Sequence, residues 1–292
     1  MKEIALVLFT ICIQASIGIM VFAAVAKLLN KESSFKSAII TAAGLAIVGL
    51  LASFMHLGRP LSAINALSQF GSSWLSLEIW FTSAFTGLTA LVALLIYVKP
   101  STKSAINALI PIAAVIGLAN VFVMASIYNF TSVPAWQHSS IFMEFYAAAI
   151  SMGAVLFIVL SGKKVGNMRR TLAFTIGVAV ILQVVAMELY YIQLGANESL
   201  AAQTSFTLLN NMSTAMALKW LLILFGSGLL FLPTMKAKTN VLVGQAATEV
   251  AATTEETLST TTYIAAALII IGQIIGRYIF YAISITGTIG LS

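Results

Sequence analysis

Eight long apolar runs are the feature that most constrains the fold of this chain. A helix that rises about 1.5 Å per residue needs about 20 apolar residues to cross a hydrocarbon layer about 30 Å thick. The runs cover Ile4–Leu29, Ser37–Met55, Glu78–Val98, Ala105–Tyr128, Ile141–Leu160, Leu172–Leu194, Ala215–Leu232 and Tyr263–Ile285. None alternates with a period of two, which disfavours a transmembrane β-barrel. Because backbone groups in lipid must bond within their own segment, we predict a single all-α integral membrane domain over residues 1–292, an eight-transmembrane-helix bundle.

The positive charges set the predicted orientation of this bundle. Only 8% of residues are charged, and eleven of the fifteen Lys and Arg residues lie in alternate gaps between the runs. By the positive-inside rule these gaps are cytoplasmic, so both termini are expected on the outer side, which carries only Lys2 and Arg59. The basic residues are divided among four loops rather than gathered in one patch. A nucleic-acid partner is therefore not predicted.

Two connections are longer than the others. Residues 233–262 are rich in Thr, Ala and Glu, and we expect a flexible cytoplasmic loop there. The outer connection His56–Leu77 carries apolar residues at roughly helical spacing, so part of it is expected to lie along the membrane surface.

Ionisable residues inside the runs are the candidates for function, because a charge near the bilayer centre costs several kcal/mol. Five lie within the runs or at their ends, and both histidines lie at outer helix ends; together they are Glu78, Glu144, Glu188, Lys219, Arg277, His56 and His138. All seven belong to the outer half of the membrane. We infer that any site in this protein lies near the outer face.

Each of these residues also has a structural interpretation. Glu144 and Lys219 lie near enough to the surface to pair or to reach it, and Glu188 can belong to an aromatic belt. Arg277 either bridges to Glu188 or Glu78 or contacts a ligand.

The last run carries its polar residues on one face. Gln273, Arg277 and Tyr281 repeat every four residues, so they share a side of the helix. Gly272 and Gly276 have the G-x-x-x-G spacing that permits close helix approach.

Metal centres are disfavoured by what the sequence lacks. One cysteine, Cys12, cannot hold an iron–sulfur cluster, and two histidines at helix ends cannot provide the paired imidazoles of a buried haem. Aspartate is absent, so a Ser/His/Asp arrangement is excluded. We predict no haem and no metal in this chain; a redox role would need metal centres in a partner.

Three segments resemble the membrane anchor subunit of the dimethyl sulfoxide reductase family. They are His56–Leu67 with S-x-E-I at Ser76–Ile79, then Y-N-F-T-S-V-P-A-W at Tyr128–Trp136, and G-Q-I-I-G-R-Y-I-F-Y at Gly272–Tyr281. The resemblance implies a multi-pass protein of the bacterial inner membrane. It also implies two soluble partners at the outer face, a four-cluster iron–sulfur subunit and a molybdopterin catalytic subunit. The implied activity is oxidation of menaquinol without haem and transfer of its electrons to the iron–sulfur subunit.

The resemblance implies the residues of a quinol site. The family's glutamate in S-x-E-I maps to Glu78 and its histidine at H-L-G maps to His56; both residue types accept and relay protons. The polar residues expected to hold the quinol ring are Arg59, Arg277, Tyr281, Gln273 and Glu188. The outer loops are expected to contact the partner, with Trp74, Pro134 and Trp136 as candidate contact residues.

Several alternatives remain open at this point. Glu78 can instead cap the start of its helix, where a carboxylate favours the positive end of the helix dipole. The protein can be a passive anchor without quinol chemistry, or a secondary transporter that uses Glu188, Lys219 and Arg277. The terminal acceptor, the quinone type and the direction of electron flow are chosen by features outside this sequence.

The orientation can be tested by cysteine labelling in intact cells. We expect a cysteine at Ser68 to react with an impermeant reagent and a cysteine at Gly162 to be protected, because residues 163–170 carry the densest positive charge. Labelling of Gly162→Cys from outside would overturn both the orientation and the outer-face site.

Overall fold

The computed structural model describes residues 2–29, 35–56, 71, 73–166, 168–231 and 247–286. Within these ranges the protein folds into nine α-helices, and two of the connections between them contain a single turn of 3₁₀ helix. The helices are α1 Lys2–Leu29, α2 Lys36–His56, α3 Trp74–Val98, α4 Lys103–Asn129, α5 Ser140–Ser161, α6 Met168–Ala196, α7 Leu200–Asn211, α8 Ser213–Leu229 and α9 Ala247–Ala282. The 3₁₀ turns are Pro134–Trp136 and Gly162–Val165.

Seven of the described helices are long and apolar enough to cross a membrane, and α7 with α8 forms an eighth candidate that is bent by 64°. The all-helical prediction is confirmed for the described residues, and the first six runs coincide closely with α1 to α6. One boundary matters for function. Helix α3 begins at Trp74, so Glu78 lies a full turn inside it and is not in its first turn.

The seventh run, Ala215–Leu232, corresponds to α8, and the structure adds a helix, α7, that we did not predict before it. Helix α7 begins where the Ser199 hydroxyl accepts a hydrogen bond from the Ala202 amide, and it ends at Asn211. Helix α8 then has only 17 residues, about 26 Å at 1.5 Å per residue, which is short of the hydrocarbon thickness. The polar pair Asn210–Asn211 interrupts the apolar pattern at the bend.

The last helix starts earlier than we predicted. It begins at Ala247, so residues 247–262, which we assigned to the flexible loop, are helical. Alanine and glutamate are strong helix formers, and the sequence there is rich in both. Residues 233–246 of that loop lie outside the described ranges, as do Arg59 and most of the loop His56–Leu77.

Helix α1 forms the centre of the bundle. Its most apolar stretch is 72% buried, more than that of any other described spanning helix, and it packs on α2, α4, α5 and α9. The approach to α5 is closest at Gly18 and Gly153, where a Cβ on Gly153 would lie 2.2 Å from the Gly18 Cα. Small residues at such a crossing let two backbones touch, and the crossing holds the central helix in place.

The two ends of the bundle differ in charge. At one end of the bundle, α3 and α5 begin and α4, α6 and α9 terminate. The connections at this end contain few Lys or Arg residues. We refer to it as the charge-poor end, and it is the end that the charge pattern places outside. Large apolar side chains such as Leu51, Val115 and Ile181 are exposed on the bundle's flanks, as expected for surfaces that face lipid.

Candidate functional site

The charged side chains buried inside the described bundle gather toward its charge-poor end. Glu78, Lys219 and Arg277 are each at most 8% exposed, and Glu144 lies beside Lys219. They come from four helices, α3, α5, α8 and α9. The sequence predicted that these residues lie at similar depth; it did not predict which of their helices are neighbours.

Glu144 and Lys219 form a buried ion pair. The Lys219 Nζ donates a hydrogen bond of 2.7 Å to the Glu144 Oε1 and lies 4.4 Å from the ring centroid of Trp220. The lysine side chain lies across Gly276 of α9, where an added Cβ would be 2.7 Å from the lysine Cε. The close approach predicted for the glycine pair is therefore confirmed, and Gly276 provides the space that the pair occupies.

Arg277 uses neutral partners instead of the bridges to Glu188 or Glu78 considered from the sequence. Its Nη2 donates a hydrogen bond of 2.8 Å to the Gln14 Oε1. Its guanidinium carbon lies 3.8 Å above the ring centroid of Phe145, a cation–π arrangement that stabilises a desolvated cation. Glu188 is exposed on α6.

Tyr281 belongs to a second polar group, which includes Glu78. The hydroxyls of Tyr281 and Tyr128 share a buried hydrogen bond of 2.8 Å. The Glu78 carboxylate lies within electrostatic range of both hydroxyls. Its Oε1 is buried and has no hydrogen-bond partner among the described residues. A buried carboxylate oxygen without a partner can accept a proton or a hydrogen bond from a ligand.

Gln273 is occupied by protein partners. Its amide exchanges hydrogen bonds of 3.0 and 3.1 Å with Gln183 of α6, and it donates a bond of 3.1 Å to the Ser151 hydroxyl of α5. Gln183 also lies within hydrogen-bonding range of Glu144. These bonds tie three helices together below the ion pair, so Gln273 positions α9 rather than projecting into open space.

An aromatic wall covers the two polar groups at the charge-poor end. The Trp136 indole donates a hydrogen bond of 2.9 Å to the Phe280 carbonyl and stacks on the Phe280 ring at 5.2 Å. The same indole lies edge-on to Tyr128 at 5.0 Å. Of the predicted partner contacts, Trp136 is thus half-buried against the bundle, whereas Trp74 stacks on the exposed Phe130.

A pocket opens on the other side of this wall, between α5, α6, α8 and α9. The space between its walls, counted to the open mouth, is about 520 Å³. Trp136 and Phe280 form one side of the pocket, and its polar side chains are His138, Ser140, Glu144, Lys219 and Tyr190. The His138 Nδ1 is 2.5 Å from the Ser140 hydroxyl oxygen, and its ring is 5.9 Å from that of Tyr190.

The remaining predicted site residues either lie outside the described residues or belong to neither the polar groups nor the pocket. Arg59 lies outside the described residues, and the His56 side chain is not described, although α2 ends at His56. Pro134 opens the 3₁₀ turn that carries Trp136 and is half-buried. In the described ranges no three His, Cys or Glu residues are grouped as metal ligands.

Sequence reasoning missed the neutral members of the site. Gln14, Gln183 and Tyr128 complete the surroundings of Arg277, Gln273 and Tyr281, and Thr82 pairs with Asn120 one turn below Glu78. A signal was available. Amide side chains are rare inside apolar spans, and Gln14, Asn120 and Gln183 all interrupt one; a search for charges alone passes over them.

Comparison with known proteins identifies a family model that covers most of the sequence and relatives that match about half of it. The family model described as DMSO reductase anchor subunit (DmsC) matches residues 1–283. The C subunit of the anaerobic dimethyl sulfoxide reductase of Haemophilus influenzae is 32% identical over 160 residues, which are 53% of this sequence and 57% of that protein. The YnfH subunit of an Escherichia coli anaerobic dimethyl sulfoxide reductase is 27% identical over 158 residues, 53% of this sequence and 56% of its own length. The matched part of the sequence spans about half the length of these relatives.

The buried ion pair makes a quantitative prediction about stability. Lys219→Met leaves the Glu144 carboxylate buried without its partner, and we expect a loss of about 3–5 kcal/mol in the free energy of unfolding. In the double variant Lys219→Met/Glu144→Gln no unpaired charge remains, so most of that loss should be recovered. Unfolding of the purified protein by a denaturing detergent measures both.

Glu198→Gln is the matched control, because it neutralises an exposed carboxylate and should change stability by less than about 0.5 kcal/mol. If the double variant loses as much free energy of unfolding as Lys219→Met and Glu144→Gln lose in sum when made singly, the two charges do not stabilise one another.

Proposed function

The chain belongs to the DMSO reductase anchor subunit (DmsC) family, and on that premise we propose that it is the haem-free membrane subunit that oxidises menaquinol for an anaerobic respiratory reductase. Its electrons pass to a four-cluster iron–sulfur subunit, which supplies a molybdopterin catalytic subunit of dimethyl sulfoxide reductase type. The membrane is the bacterial inner membrane, and the partners sit on its outer face. The catalytic subunit chooses the terminal acceptor.

The observation that carries this proposal is the buried Glu78 carboxylate, which has an oxygen without a hydrogen-bond partner among the described residues and lies within electrostatic range of the Tyr128–Tyr281 hydroxyl pair. Oxidation of a quinol releases two protons and two electrons, so the site needs a proton acceptor and hydrogen-bonding groups for the ring oxygens. Glu78 has an oxygen without a partner, and the two tyrosine hydroxyls offer both a donor and an acceptor. The three side chains come from α3, α4 and α9, so their electrostatic interaction exists only in the folded bundle.

Each of these residues has a distinct role in the proposed reaction. Glu78 accepts a proton from a quinol hydroxyl group, and the Tyr128–Tyr281 pair orients the ring by hydrogen bonds. His56, at the end of α2, relays protons toward the outer surface, and Arg59 is assigned to binding of the quinol. Arg277 holds Tyr281 and Tyr128 in a positive field, because it interacts electrostatically with both hydroxyls.

The helix-cap interpretation of Glu78 loses its support. A carboxylate stabilises a helix by about 0.3–1 kcal/mol when it lies in the first turn, and α3 has no acidic residue there because it begins at Trp74. Burial of a carboxylate one turn further in costs free energy and gains no dipole interaction in return. A functional role accounts for its presence.

The transporter alternative also loses its basis. That interpretation needs Glu188, Lys219 and Arg277 to share one site. Lys219 is paired with Glu144, Arg277 with Gln14, and Glu188 is exposed on α6. Lys219 and Arg277 each have a protein partner, and Glu188 lies apart from them, an arrangement that favours an anchor over a transporter.

Electron transfer to a partner favours a site at the charge-poor end. The loop that follows α4 carries Pro134 and Trp136, and Trp136 packs directly on Tyr128. We infer that this loop and the segment from His56 to Trp74 face the iron–sulfur subunit. Trp136 then covers the site, while the exposed surface around Trp74 and Phe130 is free to contact the partner.

Glu78→Gln tests the proposed chemistry in the assembled complex. Glutamine keeps the size and hydrogen bonding of the side chain but cannot accept a proton, so quinol-dependent turnover should fall by about 100-fold or more. Turnover with a reduced soluble dye, which donates electrons directly to the partner subunits, should persist and report assembly. Both rates are measured on membranes that contain the complete complex.

Glu198→Gln is the control for charge removal outside the site and should leave both rates unchanged. Normal quinol-dependent turnover in Glu78→Gln would show that Glu78 carries no proton and would favour a passive anchor. Loss of both rates would report failed assembly; Glu78→Asp then tests the chemistry, and the proposal requires that a shorter carboxylate restore quinol-dependent turnover in part.

A further inference from the structure

We propose that the pocket between α5, α6, α8 and α9 is a second quinone-binding site, separate from Glu78. The choice of a quinone as occupant rests on the function proposed above. The pocket shares no charged residue with the Glu78 site, and the stacked pair Trp136–Phe280 separates the two. The two sites thus lie on opposite faces of one aromatic wall.

The first argument is the buried Tyr190 hydroxyl. Tyr190 lines the pocket and is only 9% exposed, and its hydroxyl has no hydrogen-bond partner among the described residues. A buried hydroxyl without a partner costs free energy, and such groups in native proteins normally receive a bond from water or a ligand. A carbonyl or hydroxyl oxygen of a quinone ring supplies that bond.

The second argument is the apolar lining. The polar groups are few, and the rest of the wall is formed by flexible or aromatic side chains, including Met187, Met216 and Ile279. Methionine adapts to a planar ring and makes favourable sulfur–aromatic contacts. An apolar pocket with a small number of convergent polar groups is the usual form of a site for an aromatic ligand.

The third argument is charge balance. Lys219 and Glu144 neutralise one another across 2.7 Å, so the pocket offers an anion no unpaired ammonium group. A phospholipid phosphate would meet the Glu144 carboxylate without a free cation to balance it. An uncharged head group such as that of a quinone or quinol meets no such penalty, and His138 adds a second hydrogen-bonding group.

Position gives the pocket a role beside the reaction site. The pocket lies toward the charge-poor end, because Trp136 and His138 of the connection before α5 line it together with Met187 and Met216. The stacked rings of Trp136 and Phe280 would separate a quinone bound there from the Tyr128–Tyr281 pair. We assign the pocket to exchange: it holds the oxidised product or the next quinol while the Glu78 site turns over.

Photolabelling with an azido-naphthoquinone tests the site without requiring turnover. In the intact complex we expect labelled peptides from α6 and α8, around Met187 and Met216, in addition to any label near Glu78. Label in the pocket should persist in Glu78→Gln, because the two sites are separate. Failure of the Glu78 proposal therefore leaves this test intact.

The matched variants are Tyr190→Phe and Tyr191→Phe. The Tyr190 hydroxyl is the unpartnered group in the pocket, whereas the Tyr191 hydroxyl donates to the Asn210 side chain. Removal of one hydrogen bond to the ligand should weaken labelling in Tyr190→Phe by about threefold to tenfold in apparent affinity, and Tyr191→Phe should leave it unchanged. Dye-dependent turnover confirms that both variants assemble.

Three results would overturn the proposal. One is the absence of label on α6 and α8 in the wild-type complex. Another is equal labelling of Tyr190→Phe and wild type across the titration. The third is displacement of the label by phosphatidylglycerol but not by unlabelled naphthoquinone, which would identify the pocket as a lipid site.

Discussion

The requirement that a charge inside hydrocarbon be matched by a partner organises the interior of this protein. Lys219 reaches Glu144 only because Gly276 leaves room for the lysine side chain across α9. Arg277, one residue further along α9, is held by Gln14 and the face of Phe145. These contacts fix α9 against α1, α5 and α8, and they place Tyr281 where it meets Tyr128. The Glu78 site is thus built on pairings that themselves carry no chemistry.

Much of this arrangement was predictable from sequence, because the bilayer imposes strong rules. The lengths of the apolar runs predicted the spanning helices. The positions of Glu78, Glu144, Lys219 and Arg277 within those runs predicted that all four lie toward one end of the bundle. The partners of each charge were not predictable. Whether Arg277 meets Glu188 or Gln14 depends on which helices are neighbours, and that depends on crossings such as Gly18–Gly153, which lie far apart in sequence. The bend before α8 and the early start of α9 were missed because both segments are only moderately apolar.

The stacked rings of Trp136 and Phe280 separate two groups of polar residues for which we propose different roles. On one side, Glu78 and the two tyrosines offer a proton acceptor and hydrogen bonds. On the other, an apolar pocket carries the unpartnered Tyr190 hydroxyl beside a neutralised ion pair. Trp136 contacts Tyr128 on one side and lines the pocket on the other. It lies on the loop that we propose faces the iron–sulfur subunit.

Proton transfer to Glu78 is the central claim, and infrared difference spectroscopy addresses it directly. Spectra of the complex are recorded between its quinol-bound and quinone-bound states, in wild type and in Glu78→Gln. The account predicts a carboxyl C=O band that changes between the two states in wild type, because Glu78 gains or loses a proton or a hydrogen bond, and that is absent from the variant. An identical carboxyl band in Glu78→Gln would show that the proton goes elsewhere and would contradict the account.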